Sequence, residues 1–484
     1  MKLVAKCVVV LLVCGTVCAH AQISSFEHIV VIVQENRTPD NLFQGLCAPP
    51  FGTSSSCSTT PTGSQYNIQT GNWLDKHSPT GTTQPTLIPL GTSYDLSHAH
   101  SAFNAQCDAN AVGVCQMDGA GDVFCSGTCP GQPQFKFVDN TTGILNPYLT
   151  LATQYGWANY MFQTNQGPSF PAHQFIFGGT SAPSAGDDAL GIFASENMTV
   201  MKGVMNKSAG CVADATTRVE LIRPNPTSPP PGIEDASVYP CFHHKTIPDI
   251  LPAQFSWRYY APSAGSIWTA PNAISHICRS TGPDGTCEGL KWNENVDLTP
   301  SDVLSDISSC NLRSLSWVIP TGQNSDHPRN NNTGGPSWVA SIVNAIGNNS
   351  KCADGEVYWY DTAIVITWDD WGGWYDHEPP KVLSGNQGDY QRGFRVPMIV
   401  VSAFTPAGLV NNDRHDFGTI LRFIEHNFGV PEGQLGFADN RATNDLRAFF
   451  HLNQTPRPFH TISAPLDASY FLNDKTPPTD PDDD

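Results

Sequence analysis

Two apolar runs in this chain each end abruptly in polar residues. The run Ile29–Val33 leads through Gln34 into the pair Glu35-Asn36, and the run Ala363–Trp368 leads directly into the pair Asp369-Asp370. Short, continuous runs of β-branched residues predict buried strands. Because open α/β sheets bind ligands beyond the carboxyl ends of their strands, the two polar pairs mark a candidate site.

The second half of the chain alternates between strand and helix patterns. Further strands are predicted at Phe255–Tyr260, Leu315–Ile319 and Val396–Ser402. Apolar residues recur at helical spacing from Trp338 to Ile346 and from Phe417 to Phe428, and Asp416 is a candidate N-cap of the second helix. This alternation predicts an α/β fold with a mostly parallel central sheet flanked by helices.

Three irregular segments interrupt the pattern. Residues 46–92 are rich in Ser, Thr, Gly and Pro, residues 107–135 contain four cysteines, and residues 208–240 contain several prolines. All three are predicted to be loops. We therefore expect a single domain over residues 22–470 with disulfide-tied loop insertions, followed by a disordered acidic tail over residues 471–484.

The chain begins with a pattern typical of a secretory signal peptide. Lys2 and Lys6 precede an apolar stretch, and the small residues of Ala19-His20-Ala21 fit a cleavage site, which assigns residues 1–21 to the leader. The apolar stretch is too short to span a bilayer, and no later stretch has the length and apolarity to do so. We expect an exported protein, either periplasmic or extracellular.

The formal net charge of the chain is −19, and it becomes −21 once the leader, with its two lysines and no acids, is removed. So negative a chain is not expected to bind nucleic acid through a basic face or to be attracted to anionic membranes. An anionic substrate remains possible where a metal ion and local Arg or His side chains reverse the field.

Three of the 15 cysteines lie in the leader, which leaves 12. An even number in an exported protein suggests disulfides, although sequence alone does not fix the connectivity. Nearest-neighbour pairing predicts Cys47–Cys57, Cys107–Cys115, Cys125–Cys129 and Cys278–Cys287, with Cys211–Cys241 and Cys310–Cys352 closing longer loops. A metal site with thiolate ligands is the alternative, but the chain after the leader has no second Cys-x-x-x-Cys pair to complete a site with Cys125 and Cys129.

The side chains at the two strand ends predict a metal site. Glu35, Asn36, Asp369 and Asp370 offer the oxygen ligands that a hard divalent cation prefers. Two adjacent carboxylates at a buried strand end are costly unless a cation neutralises them. The ligand set suits Ca²⁺, Mg²⁺ or Mn²⁺, and a mixed site would accept Zn²⁺. The alternatives are a strand that stops at a solvated turn and an Asp-rich surface turn.

A candidate nucleophile lies in the segment Gly167-Pro168-Ser169-Phe170-Pro171. Ser169 stands between two prolines, which predicts a rigid turn with an exposed hydroxyl. A serine needs a base or a metal to become nucleophilic, and the predicted metal site would supply one. An ordinary turn is the alternative. His98 and His327 are candidates to contact phosphate oxygens or to protonate a leaving group.

These motifs resemble, in content and order, those of the phosphoesterase family of bacterial phospholipases C and acid phosphatases. The resemblance rests on Glu35-Asn36-Arg37-Thr38, Gly167-Pro168-Ser169, Ser325-Asp326-His327-Pro328 and Trp368–His377, and it runs from about Ile29 to Asp445. It implies an alkaline-phosphatase-like α/β fold. It also implies that Glu35, Asn36, Asp369 and Asp370 bind the metal, and that Ser169 takes up the phosphoryl group. His98 and His327 would line the phosphate pocket, and His244 and His377 would contact the substrate.

The resemblance predicts a secreted, metal-dependent phosphoesterase that acts through a phosphoserine intermediate. Ser169, where many phospholipases C have threonine, favours the acid phosphatases. Phosphomonoesters, choline-type diesters and phospholipids all fit such a site. The alternative is a catalytically inactive extracytoplasmic binding protein of the same fold. A serine esterase would require a Gly-x-Ser-x-Gly elbow, and a sulfatase a Cys-x-Pro-x-Arg segment, and the sequence contains neither at this position.

Overall fold

The computed structural model describes residues 25–199, 209–223, 233–280, 286–329, 332–349, 352–353, 355–380 and 392–478. The predicted leader, residues 1–21, lies outside this part of the chain. Within it, no helix has both the length and the apolarity that crossing a bilayer requires.

The strands are β1 (His28–Gln34), β2 (Trp73–Leu74), β3 (Thr82–Thr83), β4 (Thr86–Ile88), β5 (Tyr94–Leu96), β6 (Cys125–Gly127), β7 (Lys136–Val138), β8 (Gly156–Phe162), β9 (Phe193–Thr199), β10 (Arg218–Arg223), β11 (Ile233–Val238), β12 (Trp257–Tyr260), β13 (Arg279–Ser280), β14 (Cys287–Glu288), β15 (Val296–Asp297), β16 (Leu315–Val318), β17 (Thr362–Trp368), β18 (Met398–Val401) and β19 (Leu409–Asp416).

The α-helices are α1 (Pro39–Leu42), α2 (His100–Cys107), α3 (Asn146–Gln154), α4 (Ser169–Gly178), α5 (Ala185–Ala189), α6 (Ile247–Ile250), α7 (Leu290–Asn295), α8 (Asp302–Ser308), α9 (Gly335–Gly347), α10 (Tyr358–Asp361), α11 (Phe417–Asn427), α12 (Phe437–Arg441) and α13 (Ala468–Asn473).

Eight strands form the central sheet, in the order β15-β12-β16-β1-β17-β18-β8-β19. All neighbouring pairs are parallel except the two that involve β18, which runs antiparallel to β17 and β8. Every residue of β1 and of β17 is buried, so both faces of the sheet are covered at its centre. A strand buried on both faces reads as a continuous apolar run, which is the pattern seen in the sequence.

Helices cover the sheet in two groups. Helix α9 packs against α3, α8 and α13, whereas α11 packs against α4 and α12. The predicted α/β class with a mostly parallel, helix-flanked sheet is therefore confirmed. The predicted N-cap of α11 is also confirmed, because the Asp416 carboxylate accepts a hydrogen bond from the backbone N–H of Gly418 at 3.0 Å.

The prediction for residues 208–240 was wrong in part. These residues include β10 and β11, which form an antiparallel three-stranded sheet with β9. The prolines, at positions 224, 226 and 229–231, lie outside the described residues, between the two strands. Prolines between two strands remove no hydrogen bond from the strands themselves, so their number did not exclude a pair of strands.

All six predicted disulfides are present: Cys47–Cys57, Cys107–Cys115, Cys125–Cys129, Cys211–Cys241, Cys278–Cys287 and Cys310–Cys352. The ordered chain extends past residue 470, since α13 ends at Asn473 and buries Phe471 against Trp338 with ring centroids 5.2 Å apart. The predicted tail thus begins later than residue 471, and residues 479–484 lie outside the described part.

Candidate metal and phosphate site

The two polar pairs lie side by side at the centre of the sheet. In the parallel register of β1 and β17, Gln34 is opposite Trp368. Pairing continues beyond the strands, because the Asp369 N–H donates to the Gln34 carbonyl at 3.0 Å and the Arg37 N–H donates to the Asp370 carbonyl at 3.1 Å. This register brings the predicted ligands of both strands to one edge.

A tight backbone arrangement shapes this edge. Asn36 has a φ of +59°, and its N–H donates to Asp369 Oδ1 at 3.1 Å. The same oxygen accepts the N–H of Asp370 at 2.7 Å. Gly372 (φ +61°) lies so close that a Cβ would be 2.5 Å from the carbonyl oxygen of Asn36. Only glycine adopts this φ readily and has no Cβ to clash with the Asn36 carbonyl oxygen, so Gly372 maintains the turn.

Ser169 is the first residue of α4, and Pro168 is its extended N-cap. The rigid turn predicted here is therefore a helix start. The close approach of Gly167 to the backbone of Ser195, which leaves no room for a Cβ, fixes where the helix begins. The Ser169 hydroxyl is buried and donates to Asp370 Oδ2 at 3.2 Å. The nucleophile candidate is thus in contact with the carboxylate cluster.

One helical turn after Ser169, His173 joins the same cluster. Its Nε2 is 3.2 Å from Glu35 Oε1 and 3.9 Å from Asp369 Oδ2. Glu35, His173 and Asp369 together form a group with metal-ligand spacing. The sequence analysis did not select His173. Its spacing of four residues from Ser169, which puts both on one helix face, was the available signal.

The electrostatics of the cluster favour a bound cation. Glu35, Asp369 and Asp370 are all fully buried. Burial, and then the charge of Asp369, raises the pKa of Asp370 well above its usual value. Burial also lowers the pKa of His173 to about 4, so the imidazole is a poor source of compensating charge.

Within the described part of the chain, Asn36 Oδ1 and Asp369 Oδ2 are buried at the site and have no hydrogen-bond partner. A buried polar atom without a partner costs free energy unless something coordinates it. The carboxylate and amide donors therefore fit the divalent cation that the sequence predicted.

His98 and His327 lie beside the cluster. His98 Nε2 accepts a hydrogen bond from the Asn36 side-chain amide at 3.1 Å, while its Nδ1 donates to the Leu96 carbonyl at 2.9 Å. The His327 ring centroid is 6.1 Å from that of His98, and His327 Nδ1 donates to the Pro328 carbonyl at 2.8 Å. The hydrogen bond from Asn36 to His98 turns the amide oxygen of Asn36 away from the histidine.

The structure does not bring His244 to the cluster. The His244 ring lies against Gly178, the last residue of α4. Ser169 is at the other end of this helix, about 13 Å away along its axis. The resemblance predicted a substrate contact for His244, and no motif fixes how far a histidine in the segment before α6 lies from Ser169.

His377 belongs to a hydrogen-bonding network of its own. Its Nδ1 is 2.7 Å from Asp40 Oδ2 and its Nε2 is 2.8 Å from Asn67 Oδ1. Arg395 completes the network with a bidentate contact to Asp376, whose shortest distance is 2.9 Å. Both ring nitrogens of His377 thus bond within the protein, which favours a role in ordering the loop after β17.

Arg37 is an additional buried side chain of the site region that the sequence did not single out. It donates to the backbone carbonyl of Asp326 at 2.8 and 3.0 Å and to that of Leu90 at 2.9 Å. Its guanidinium lies over the Trp374 ring, 5.0 Å from the centroid. Arg37 therefore holds the segment that carries His327 and does not point into the carboxylate cluster.

Several curated phospholipases C are similar in sequence to this chain. The chain is 28% identical to a non-hemolytic phospholipase C of Pseudomonas aeruginosa over 246 residues, which are 44% of this chain and 34% of that protein. It is 27% identical to phospholipase C B of Mycobacterium tuberculosis over 179 residues, 33% of each chain. The matches thus span about a third of the length of these relatives.

A protein of the alkaline phosphatase superfamily from Vibrio parahaemolyticus aligns with 72% of this chain and 66% of its own, with a TM-score of 0.30 and 12% identity. The sequence pattern that defines the Phosphoesterase family matches residues 26–431, which include β1, α4, β17 and every candidate ligand described above. This chain belongs to the Phosphoesterase family.

Proposed function

We propose that this protein is an exported, metal-dependent phosphoric ester hydrolase that forms a phosphoserine at Ser169. The observation that carries the proposal is the contact between the buried Ser169 hydroxyl and Asp370, 3.2 Å apart, at the edge where β1 and β17 present Glu35 and Asp369. A serine held against a carboxylate cluster has the arrangement that metal-assisted phosphoryl transfer requires.

The cation is proposed to be held by Glu35, Asn36, Asp369 and Asp370. When bound, it would lower the pKa of the serine hydroxyl and polarise a phosphate oxygen. The buried oxygens Asn36 Oδ1 and Asp369 Oδ2 support this assignment, because the described residues offer neither of them a hydrogen-bond donor.

The protein's own groups then perform the transfer. The Ser169 hydroxyl loses its proton to solvent, Oγ attacks phosphorus to form the new Oγ–P bond, and the bond from phosphorus to the leaving-group oxygen breaks. Ser169 is at the N-terminus of α4, so the helix dipole and the first backbone N–H groups favour the anionic phosphoryl group. Water subsequently cleaves the phosphoserine and releases phosphate or a phosphorylated headgroup.

His327 is proposed to contact the equatorial phosphate oxygens, where charge is spread in the transition state, and to give a proton to the departing alcohol. His98 would join it only as a protonated ring, since in the neutral ring Nδ1 donates to the Leu96 carbonyl and Nε2 accepts from Asn36. Both rings are buried beside the cluster, and the hydrogen bond from Asn36 positions His98 next to a proposed ligand.

Export is supported by the six disulfides, because such bonds persist in oxidising compartments. The proposed substrates are phosphate esters. The serine nucleophile favours phosphomonoesters of the acid phosphatase kind, and the similarity to phospholipases C favours phosphodiesters with an alcohol headgroup.

The test compares hydrolysis of p-nitrophenyl phosphate with that of p-nitrophenylphosphorylcholine between pH 5 and pH 8, with and without a chelator. We expect turnover of at least one substrate, its loss on chelation, and its loss by several orders of magnitude in Ser169→Ala. Ser341→Ala is the matched control, since Ser341 is also a buried helical serine but donates to the Trp338 carbonyl.

Hydrolysis of the monoester p-nitrophenyl phosphate alone would indicate a phosphatase, and hydrolysis of the diester p-nitrophenylphosphorylcholine would indicate a phospholipase C. Full activity in Ser169→Ala would overturn the phosphoserine mechanism. Metal binding without turnover of either ester, or of a phospholipid, would instead support the inactive binding protein.

A further inference from the structure

We propose that His173 binds the metal through Nε2, so that the site is a mixed nitrogen–oxygen site that prefers a borderline transition metal such as Zn²⁺ to Ca²⁺ or Mg²⁺. This inference rests on the proposed function only in assuming that a cation occupies the cluster. It adds a ligand from a helix to the four oxygen ligands at the strand ends.

The positions of the donor atoms carry the inference. His173 Nε2 is 3.2 Å from Glu35 Oε1 and 3.9 Å from Asp369 Oδ2, and all three side chains are buried. Ligand atoms bound to one five-coordinate ion at about 2.0–2.1 Å are about 2.9–4.1 Å apart, depending on the angle between them. The imidazole nitrogen therefore already lies at a ligand's distance from two carboxylates.

The second nitrogen of His173 fixes the tautomer. The Tyr259 hydroxyl donates its hydrogen to the Trp268 carbonyl at 2.8 Å, so the Tyr259 oxygen is an acceptor toward His173 Nδ1, 3.4 Å away. Nδ1 then carries the hydrogen, and Nε2 directs a lone pair at the carboxylates. A lone pair in this position faces two anionic oxygens and is stabilised by a cation between them, whereas a hydrogen on Nε2 would be donated to Glu35. A metal-binding histidine that donates its other N–H to a protein acceptor is the usual second-shell pattern.

The surrounding elements hold the ring in this orientation. The Trp268 ring lies nearly parallel to that of His173, with an interplanar angle of 27° and centroids 6.5 Å apart. Ser169 and His173 are one turn apart in α4, so the nucleophile and the proposed ligand belong to one rigid element. Binding at Nε2 would thereby anchor the helix that presents the serine.

The ligand set bears on which metal is bound. Carboxylate and carbonyl oxygens alone suit Ca²⁺ and Mg²⁺, whereas an imidazole ligand shifts preference toward Zn²⁺, Co²⁺ and related ions. The competing arrangement is an imidazolium that pairs with Glu35 and leaves the cation to the oxygen ligands alone.

The experiment measures metal binding, not turnover. Full-length protein is freed of metal with a chelator and titrated with Zn²⁺, Co²⁺, Ca²⁺ and Mg²⁺, and the visible spectrum of the Co²⁺ form is recorded. We expect His173→Gln to weaken Zn²⁺ and Co²⁺ binding about 10–100-fold, to alter the Co²⁺ spectrum, and to leave Ca²⁺ and Mg²⁺ affinity within about threefold.

Two further variants make the result decisive. His415→Gln is the matched control, because His415 is a buried histidine that bonds Asn411 at 3.0 Å, and it should leave the Co²⁺ spectrum and affinities unchanged. Tyr259→Phe removes the Nδ1 acceptor and should weaken Zn²⁺ binding less than His173→Gln does. Retention of the helical circular dichroism shows that each variant is folded.

An unchanged Co²⁺ spectrum in His173→Gln would overturn the inference, as would a His173→Arg variant that binds Zn²⁺ as tightly as wild type. Neither result affects the Ser169 mechanism, which the ester assays with Ser169→Ala test separately. Absence of phosphoester turnover in the metal-loaded wild-type protein, with the histidine-dependent Co²⁺ spectrum present, would overturn the proposed function and leave this metal ligand in place.

Discussion

At the residue scale, the two adjacent aspartates have different environments. Asp369 Oδ1 accepts hydrogen bonds from the backbone N–H groups of Asn36 and Asp370. Burial opposes ionisation of Asp369, but the neighbouring side chains and these backbone donors outweigh it, so the pKa of Asp369 is lowered. Asp370 instead has a raised pKa, from burial and from the charge of Asp369. The backbone thus stabilises the carboxylate of Asp369, whereas a bound cation would offset the burial and the neighbouring charge that raise the pKa of Asp370.

Asp370→Asn should weaken binding of the proposed metal, because it removes a charge and keeps the volume. We expect a loss of about 10–100-fold in metal affinity, measured by calorimetric titration of the metal-free protein. Asp214→Asn, at an exposed aspartate, is the control and should bind metal as wild type does. Equal affinity in the two variants would remove Asp370 from the ligand set.

Gly372→Ala should disturb the site although it removes no functional group. A Cβ at Gly372 would lie 2.5 Å from the Asn36 carbonyl oxygen, at a φ of +61°. We expect weaker metal binding and a stability loss of about 1–3 kcal/mol in urea unfolding. Gly63→Ala is matched in φ, at +59°, but its Cβ would meet nothing within 4 Å. Similar effects in both variants would show that the clash with Asn36 is unimportant.

At the element scale, strand ends and one helix start meet at a single edge. The register of β1 with β17 aligns the acidic pairs, and α4 supplies both Ser169 and His173. Helix α11 packs against α4 and α12, so its stability supports the helix that carries the nucleophile. Within α11, Glu425 is fully buried, and burial followed by the charge of Asp439 raises its pKa to about 9.

The raised pKa of Glu425 predicts how stability depends on pH. Between the unfolded value of about 4.3 and the folded value of about 9, the folded state binds more protons than the unfolded state, so the free energy of unfolding falls as pH rises. Glu425→Gln should remove this loss of stability at high pH. The melting temperature of the variant should exceed that of wild type at pH 8.5 and match it at pH 4.

Thermal unfolding followed by circular dichroism at both pH values checks this expectation. Glu294→Gln, at an exposed glutamate of α7, is the control and should follow wild type at both pH values. A Glu425→Gln protein that is less stable than wild type at pH 8.5 would contradict the prediction.

At the scale of the whole molecule, the central sheet is surrounded by long connections that the disulfides close. The crosslinks differ widely in the length of chain they enclose, from a separation of 4 residues for Cys125–Cys129 to 42 residues for Cys310–Cys352. If a crosslink acts by reducing the entropy of the unfolded chain, the longer loop gives the greater stabilisation.

Replacing both Cys310 and Cys352 by alanine should therefore lower the free energy of unfolding by about 4 kcal/mol, and replacing Cys125 and Cys129 by about 2 kcal/mol. Urea unfolding of the two double variants measures the difference. Neither pair includes a group of the metal cluster, so metal affinity at low urea serves as the control. The opposite order of stability losses would contradict the entropic account.

The sequence determined which segments are strands at the centre of the sheet, because fully buried strands require continuous apolar runs. It also determined which acidic residues and which serine are candidates for the site, since their chemistry is set by residue type alone. The predicted cysteine pairs agreed with the structure because close neighbours in sequence are restricted to nearby positions by the chain itself.

Only the tertiary structure decided which histidines meet the carboxylates. His173 reaches them because α4 begins at Ser169, and His244 does not because it lies at the far end of that helix. His377 is held by Asp40 and Asn67, which are more than 300 residues away in the chain. Contacts between distant segments depend on sheet register and helix placement, and these arise from packing of the whole core, which no local pattern of residues encodes.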